Sequence, residues 1–133
     1  MHRFVSPAVS LTVVVASLSI TLGMPRLLLA EGLEPPPGYK ASKKIKRIFD
    51  AKCATCHGED GHGKTETGLE MGVADMAKAA YWKDLTLAGA RKSVLEGLKR
   101  THNGKEQEMK PFKDRLTPDQ VDALVLYASS LKK

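Results

Sequence analysis

Five consecutive residues, Cys53-Ala54-Thr55-Cys56-His57, restrict what this 133-residue chain can become more than anything else in it. They contain its only two cysteines. A pair this close is no disulfide framework, and secreted scaffolds that rely on disulfides carry more of them. The length suits one domain and not two. Aromatic residues make up only 5% of the chain, and Trp82 is the sole tryptophan. That is little bulk for a core, and a buried cofactor would supply the missing apolar volume.

Two thiols at this spacing reach the two vinyl groups along one edge of a haem and close thioethers on them. The histidine directly after the second cysteine then lies under the iron and offers its imidazole as an axial ligand. The expected cofactor is one haem c with its iron, covalent through Cys53 and Cys56 and ligated by His57. Covalent attachment stops the haem escaping, so a small domain holds it with a modest core. Two other readings of the pair are weaker. A thioredoxin-type redox pair needs a βαβ context, and the sequence offers none. A zinc site needs further ligands, and only His2, His62 and His102 remain.

The iron has a sixth position, and the candidates for it are Met71, Met76, Met109, His62 and His102. Met109 is the expected second ligand. It stands in a predicted loop, Gly104 to Arg115, that runs straight into the last helix, and Pro111 and Phe112 stiffen it. An iron–thioether bond is weak, so the protein must hold its geometry. His102 is the next candidate. Met71 and Met76 read as core gap-fillers, His62 as a solvated loop residue.

Residues 1–30 read as a targeting segment. His2 and Arg3 give a short basic start, and no charge occurs from Ser6 to Met24. Cleavage after Ala30 would make it a signal peptide, although Leu28 stands where a small residue is preferred. The uncharged stretch also suffices to span a bilayer as an uncleaved anchor. Both outcomes put the remainder outside the cytoplasm. Residues 31–41, with Pro35, Pro36 and Pro37, read as an extended linker outside the core. Without Arg3 and Arg26 the balance is 19 basic against 15 acidic residues, or +4. That mild charge suits acidic protein partners and is too scattered for nucleic acid.

The domain is expected over residues 42–133. Ser42 to Cys53 reads as a helix with Ile45, Ile48 and Phe49 on one face. Gly58 to Met76 is a predicted glycine-bearing loop, able to wrap a flat ligand. A short helix is predicted near Ala74 to Trp82, and another over Thr86 to Leu98. Thr117, Pro118 and Gln120 open the clearest helix, with Val121, Leu124, Val125 and Ala128 on its buried stripe. Lys132 and Lys133 would meet the negative end of its dipole. No useful strand is expected, so the fold class is all-α, three to five helices around one haem.

These motifs together resemble class I cytochromes c over residues 42–132. The helix ending in Phe49-Asp50-Ala51-Lys52, Gly58 after His57, and Met109-Lys110-Pro111-Phe112 before a helix carrying Leu124-Val125-Leu126-Tyr127 are similar to the family's pattern. The resemblance implies a His57/Met109-ligated iron and a crossing of first and last helices with Tyr127 in the contact. Ile45 stands where the family usually has glycine, which implies a wider or shifted crossing. No proline follows His57 before Met109 to accept its N–H, so a carbonyl from Gly68 to Ala74 is the expected substitute. The implied function is single-electron transfer by a monomeric, non-enzymatic carrier, periplasmic or otherwise extracytoplasmic. Its partners would be redox proteins such as a membrane oxidase, reductase or dehydrogenase. Lys52, Lys64, Lys110 and Lys113 flank the motif or the methionine loop and would steer them. The alternative is a haem enzyme or gas sensor with an open iron position.

Overall fold

The computed structural model describes residues 32–133, except for Asn103 and the side chain of His102. The expected targeting segment lies outside the described residues. Among the described residues no helix is long and apolar enough to cross a membrane.

The first helix, α1 (Lys43–Lys52), starts where Ser42 Oγ accepts the Ile45 N–H. The last, α6 (Pro118–Ser129), starts with a full capping box: Thr117 Oγ1 accepts the Gln120 N–H, and the Gln120 side chain accepts the Thr117 N–H. Such caps satisfy amide groups that the first helical turn leaves without partners. Both helices bury their apolar stripe in one core that holds Ile45, Phe49, Val121, Leu124, Val125 and Ala128. Phe49 and Tyr127 meet edge to face, with ring centroids 5.2 Å apart. The expected aromatic contact of first and last helices is therefore present. Ile45 is itself a core residue, 8% exposed.

Between them lie α2 (Ala54–His57), α3 (Glu66–Met71), α4 (Ala79–Trp82) and α5 (Leu87–Glu96). The count exceeds the expected three to five because α2 and α4 are single turns. The predicted glycine loop contains α3, bounded by Thr65 as N-cap and by Gly72 in the left-handed conformation at its end. The helix predicted near Ala74 to Trp82 shrinks to α4.

The absence of strands is corrected. An antiparallel hairpin, β1 (Leu98–His102) and β2 (Lys105–Met109), pairs Leu98 with Met109 and Arg100 with Gln107. Gly97, at φ +82°, ends α5 before Leu98, and a Cβ there would sit 2.6 Å from the Met109 carbonyl oxygen. Only glycine permits that turn and that approach together. The fold remains mostly helical with this small sheet.

The reading of 31–41 as a linker outside the core is corrected too. Leu33 is buried in the core. Its N–H donates to Trp82 O at 3.0 Å, and its carbonyl accepts from Lys132 Nζ at 3.1 Å. Lys132 also pairs with Glu34. Tyr39 donates its hydroxyl to Ala123 O at 3.0 Å. Leu33, Glu34 and Tyr39 together bring the segment onto the domain.

Candidate functional site

Cys53 is the residue that closes α1, and its N–H donates to Phe49 O at 2.7 Å. The chain then makes the single turn of α2, in which the His57 N–H returns to Cys53 O at 2.9 Å. Gly58 ends that turn at φ +75°. The next backbone contact, Gly63 N–H to His57 O at 2.7 Å, folds the loop back on the turn. Cys53, Cys56 and His57 thus sit on one rigid corner held by α1.

That corner faces a cavity of about 730 Å³. Its walls are mostly apolar and include Phe49, Trp82, Leu85, Val94, Leu98, Phe112, Leu124 and Val125. The volume lies in the range of small-molecule and cofactor pockets. Met109, at the end of β2, lines the same cavity and is half-buried. Met71 and Met76 line it as well. All three methionines therefore reach the space. His62 does not line it. Its Nδ1 lies 3.1 Å from Asp75 Oδ1, so the solvated residue of the sequence reading is instead tied to a carboxylate. His102 belongs to β1, but its side chain lies outside the described residues. Lys52 and Lys110 are exposed at the cavity rim, whereas Lys64 and Lys113 are exposed away from its lining.

Burial pushes the Cys53 thiol up to about 11, against the opposing charge of Lys52, while Cys56 and Asp50 push the same way as burial. The free Cys53 side chain is therefore favoured as the neutral thiol. Among the described residues no group of three or more His, Cys, Asp or Glu is placed to hold a metal ion. Burial also lowers the His57 pKa, which favours the neutral imidazole.

His57 Nδ1 is sealed from solvent and has no hydrogen-bond partner. The expected carbonyl from Gly68 to Ala74 does not reach it. Several carbonyls there are already engaged: Gly68 O by the Val73 N–H, Leu69 O by Lys105, and Gly72 O by Gln107. A buried polar nitrogen without a partner is uncommon in a folded protein. The other ring nitrogen is not among the sealed, unpartnered atoms and is the one available to a ligand. Two thiols, a neutral imidazole and an apolar cavity on one corner fit a haem.

The cytochrome c family model matches residues 42–132. The chain belongs to the cytochrome c family. Membership implies a covalently bound haem c, and Cys53, Cys56 and His57 fit the attachment motif of these cytochromes. The cytochrome is 34% identical over 96 residues to the cbb3-type cytochrome c oxidase subunit FixP of Azorhizobium caulinodans, covering 72% of this chain and 29% of that one. It is 29% identical over 91 residues to the cbb3-type subunit CcoP of Azospirillum brasilense, covering 68% and 28%. The chain thus matches less than a third of the length of these subunits. Among solved structures it resembles the KustC0563 c-type cytochrome, with TM-score 0.54 and 30% identity over 66% of this chain and 96% of that one. Electron transfer is the function this kinship supports.

Sequence reasoning passed over Tyr81, Arg100 and Gln107, which all line the cavity, and gave no role to Trp82. Trp82 donates its indole N–H to Met76 O at 2.7 Å and packs edge to face on Tyr81. The one available signal was its being the only tryptophan of a chain poor in aromatics.

Proposed function

We propose that this cytochrome is an exported monohaem electron carrier, with Cys53 and Cys56 holding the haem and His57 and Met109 as the two axial ligands. The observation that carries the reading is the convergence of these four side chains on one apolar cavity. When bound, the haem supplies an iron that gains and loses one electron at a time.

The protein's part is to hold and to shield. Cys53 and Cys56 would hold the haem through thioethers at the corner of α1 and α2. His57 is kept neutral and oriented by the turn it closes. Met109 approaches on a strand whose continuation is pinned to α5, because the Phe112 and Lys113 N–H groups donate to Val94 O and Leu95 O at 3.1 Å each. His57 and Met109, held by backbone, would keep rearrangement small when the haem gains or loses an electron, and a histidine–methionine ligand pair in an apolar surround would favour the reduced state.

Residues 1–30 serve as the export signal or as an anchor, which puts the domain on the periplasmic side. The partners are redox proteins, and the kinship to cbb3 oxidase subunits supports a membrane oxidase among them. Lys52 and Lys110 at the rim provide positive charge where a partner would approach the haem edge.

A spectroscopic redox titration of wild type and Met109→Ala tests the ligand set. The expected result is a clear fall in potential and loss of the methionine–iron band, with ready carbon monoxide uptake only in the variant. An unchanged spectrum in Met109→Ala, or ready uptake by reduced wild type, overturns it.

A further inference from the structure

Two polar side chains are buried in the described part of the molecule, Gln107 and Ser129. Ser129 makes a local bond within α6, donating to Leu126 O at 2.9 Å. Gln107 is used differently. Its Oε1 accepts from Arg100 Nε at 2.9 Å, directly across the ladder, and its Nε2 donates to Gly72 O. One amide therefore joins both strands of the hairpin to the end of α3.

Strand geometry gives this joint its meaning. Side chains alternate faces, so Lys105, Gln107 and Met109 share one face of β2. Lys105 Nζ donates to Leu69 O at 3.0 Å, and Gln107 to Gly72 O, so the first two hold the C-terminal end of α3. Met109 lines the cavity, as does Gln107 between its two bonds. At its other end α3 rests on the attachment turn: Thr65 Oγ1 donates to Cys56 O at 3.2 Å, and a Cβ on Gly68 would lie 2.4 Å from that same oxygen. A continuous path thus runs from the turn bearing His57, along α3, through the Gln107 amide, to the strand bearing Met109.

We infer that Gln107 is a positioning residue for the methionine ligand, fixing its strand against the attachment turn. This rests on the reading of Met109 as the second axial ligand. A thioether is a weak ligand, so the free energy that keeps it in place must come from the chain around it. Gln107 supplies part of it, because shifting β2 away from α3 would strand a buried amide and the Gly72 carbonyl, and unmade buried hydrogen bonds are costly. Gln107→Leu removes both bonds. Gln107→Glu keeps the size and the pairing with Arg100 but has no N–H for Gly72 O.

The test uses ferric haem-loaded protein and the methionine–iron band as its readout, with free imidazole titrated in as a competing ligand. Both Gln107 variants should lose the band at roughly tenfold lower imidazole than wild type, as expected for the loss of one to two such bonds. Leu33→Ala, which weakens the core away from this path, should lower unfolding stability without that shift. If Gln107→Leu yields no loaded protein, the isosteric Gln107→Glu carries the comparison. Wild-type midpoints in both variants, or an equal shift in Leu33→Ala, overturn the inference alone. A wild-type protein without the band overturns the ligand reading as well.

Discussion

Gly68→Ala sets two calculable effects against each other. Gly68 is inside α3, and alanine in a helix interior is favoured over glycine by about 1 kcal/mol. The added Cβ, however, would lie 2.3 Å from Gly63 O and 2.4 Å from Cys56 O. Ordinary contacts begin about 1 Å further out, and neither atom is the mobile end of a side chain. Cys56 O accepts from Thr65 Oγ1, itself 2.9 Å from the new methyl, and the same hydroxyl caps α3. Relief requires moving the helix or the attachment turn. Overpacking of this kind costs about 1–3 kcal/mol, and two backbone clashes put it at the upper end. The clash wins by about 2 kcal/mol, equivalent to a fall in melting temperature of roughly 10 °C for a domain this size. Thermal unfolding of the loaded protein measures it. Gly89→Ala in α5 is the matched control, because its Cβ meets only Thr86 Oγ1, at 3.2 Å, and it should be neutral or mildly stabilising. A Gly68→Ala protein as stable as wild type would refute the claim that α3 bears directly on the attachment turn.

Two further perturbations test other parts of the structure. Leu33→Ala should cost about 2–3 kcal/mol in denaturant unfolding, the lower part of the range for buried leucines. A tether outside the core would show no loss. For Asp75, burial works to raise the carboxyl, but the His62 hydrogen bond, the Ala77 N–H and the charges of His62 and Lys78 together hold it below 3.8. A depressed carboxylate stabilises the fold above its unfolded value and loses that contribution as pH falls through its folded value. Wild type should therefore lose stability more steeply than Asp75→Asn as pH drops below about 4. Parallel pH curves would dissociate the His62–Asp75 contact from stability.

What the sequence revealed follows from which signals are local. The attachment motif is a contiguous string with one dominant chemical use. The ends of α1 and α6 were legible because Ser42, Thr117, Pro118 and Gln120 act within three residues of the amides they cap. The helix α3 was hidden by its own glycines, although Thr65 and Gly72 are a matched pair of caps around it. The hairpin leaves little sequence signal because its strands are short and charged, and Gln107 is the one buried residue in β2. The local clue was the Asn103-Gly104 pair, a common hairpin turn sequence. The core role of Leu33 had no local signal, since it depends on Trp82 and Lys132, far along the chain. The missing partner of His57 Nδ1 was equally invisible. It depends on how the loop after α2 folds back on the attachment turn, which no local run of residues encodes.

The account depends on a haem joined by carbon–sulfur bonds to Cys53 and Cys56, and intact mass under denaturing conditions tests this most directly. Thiol addition across a vinyl group loses no atoms. Protein made in a host with c-type maturation should therefore weigh the polypeptide plus one whole haem, with the added mass confined to the peptide spanning residues 53–57. A mass equal to the bare polypeptide, with any pigment released on denaturation, would contradict it.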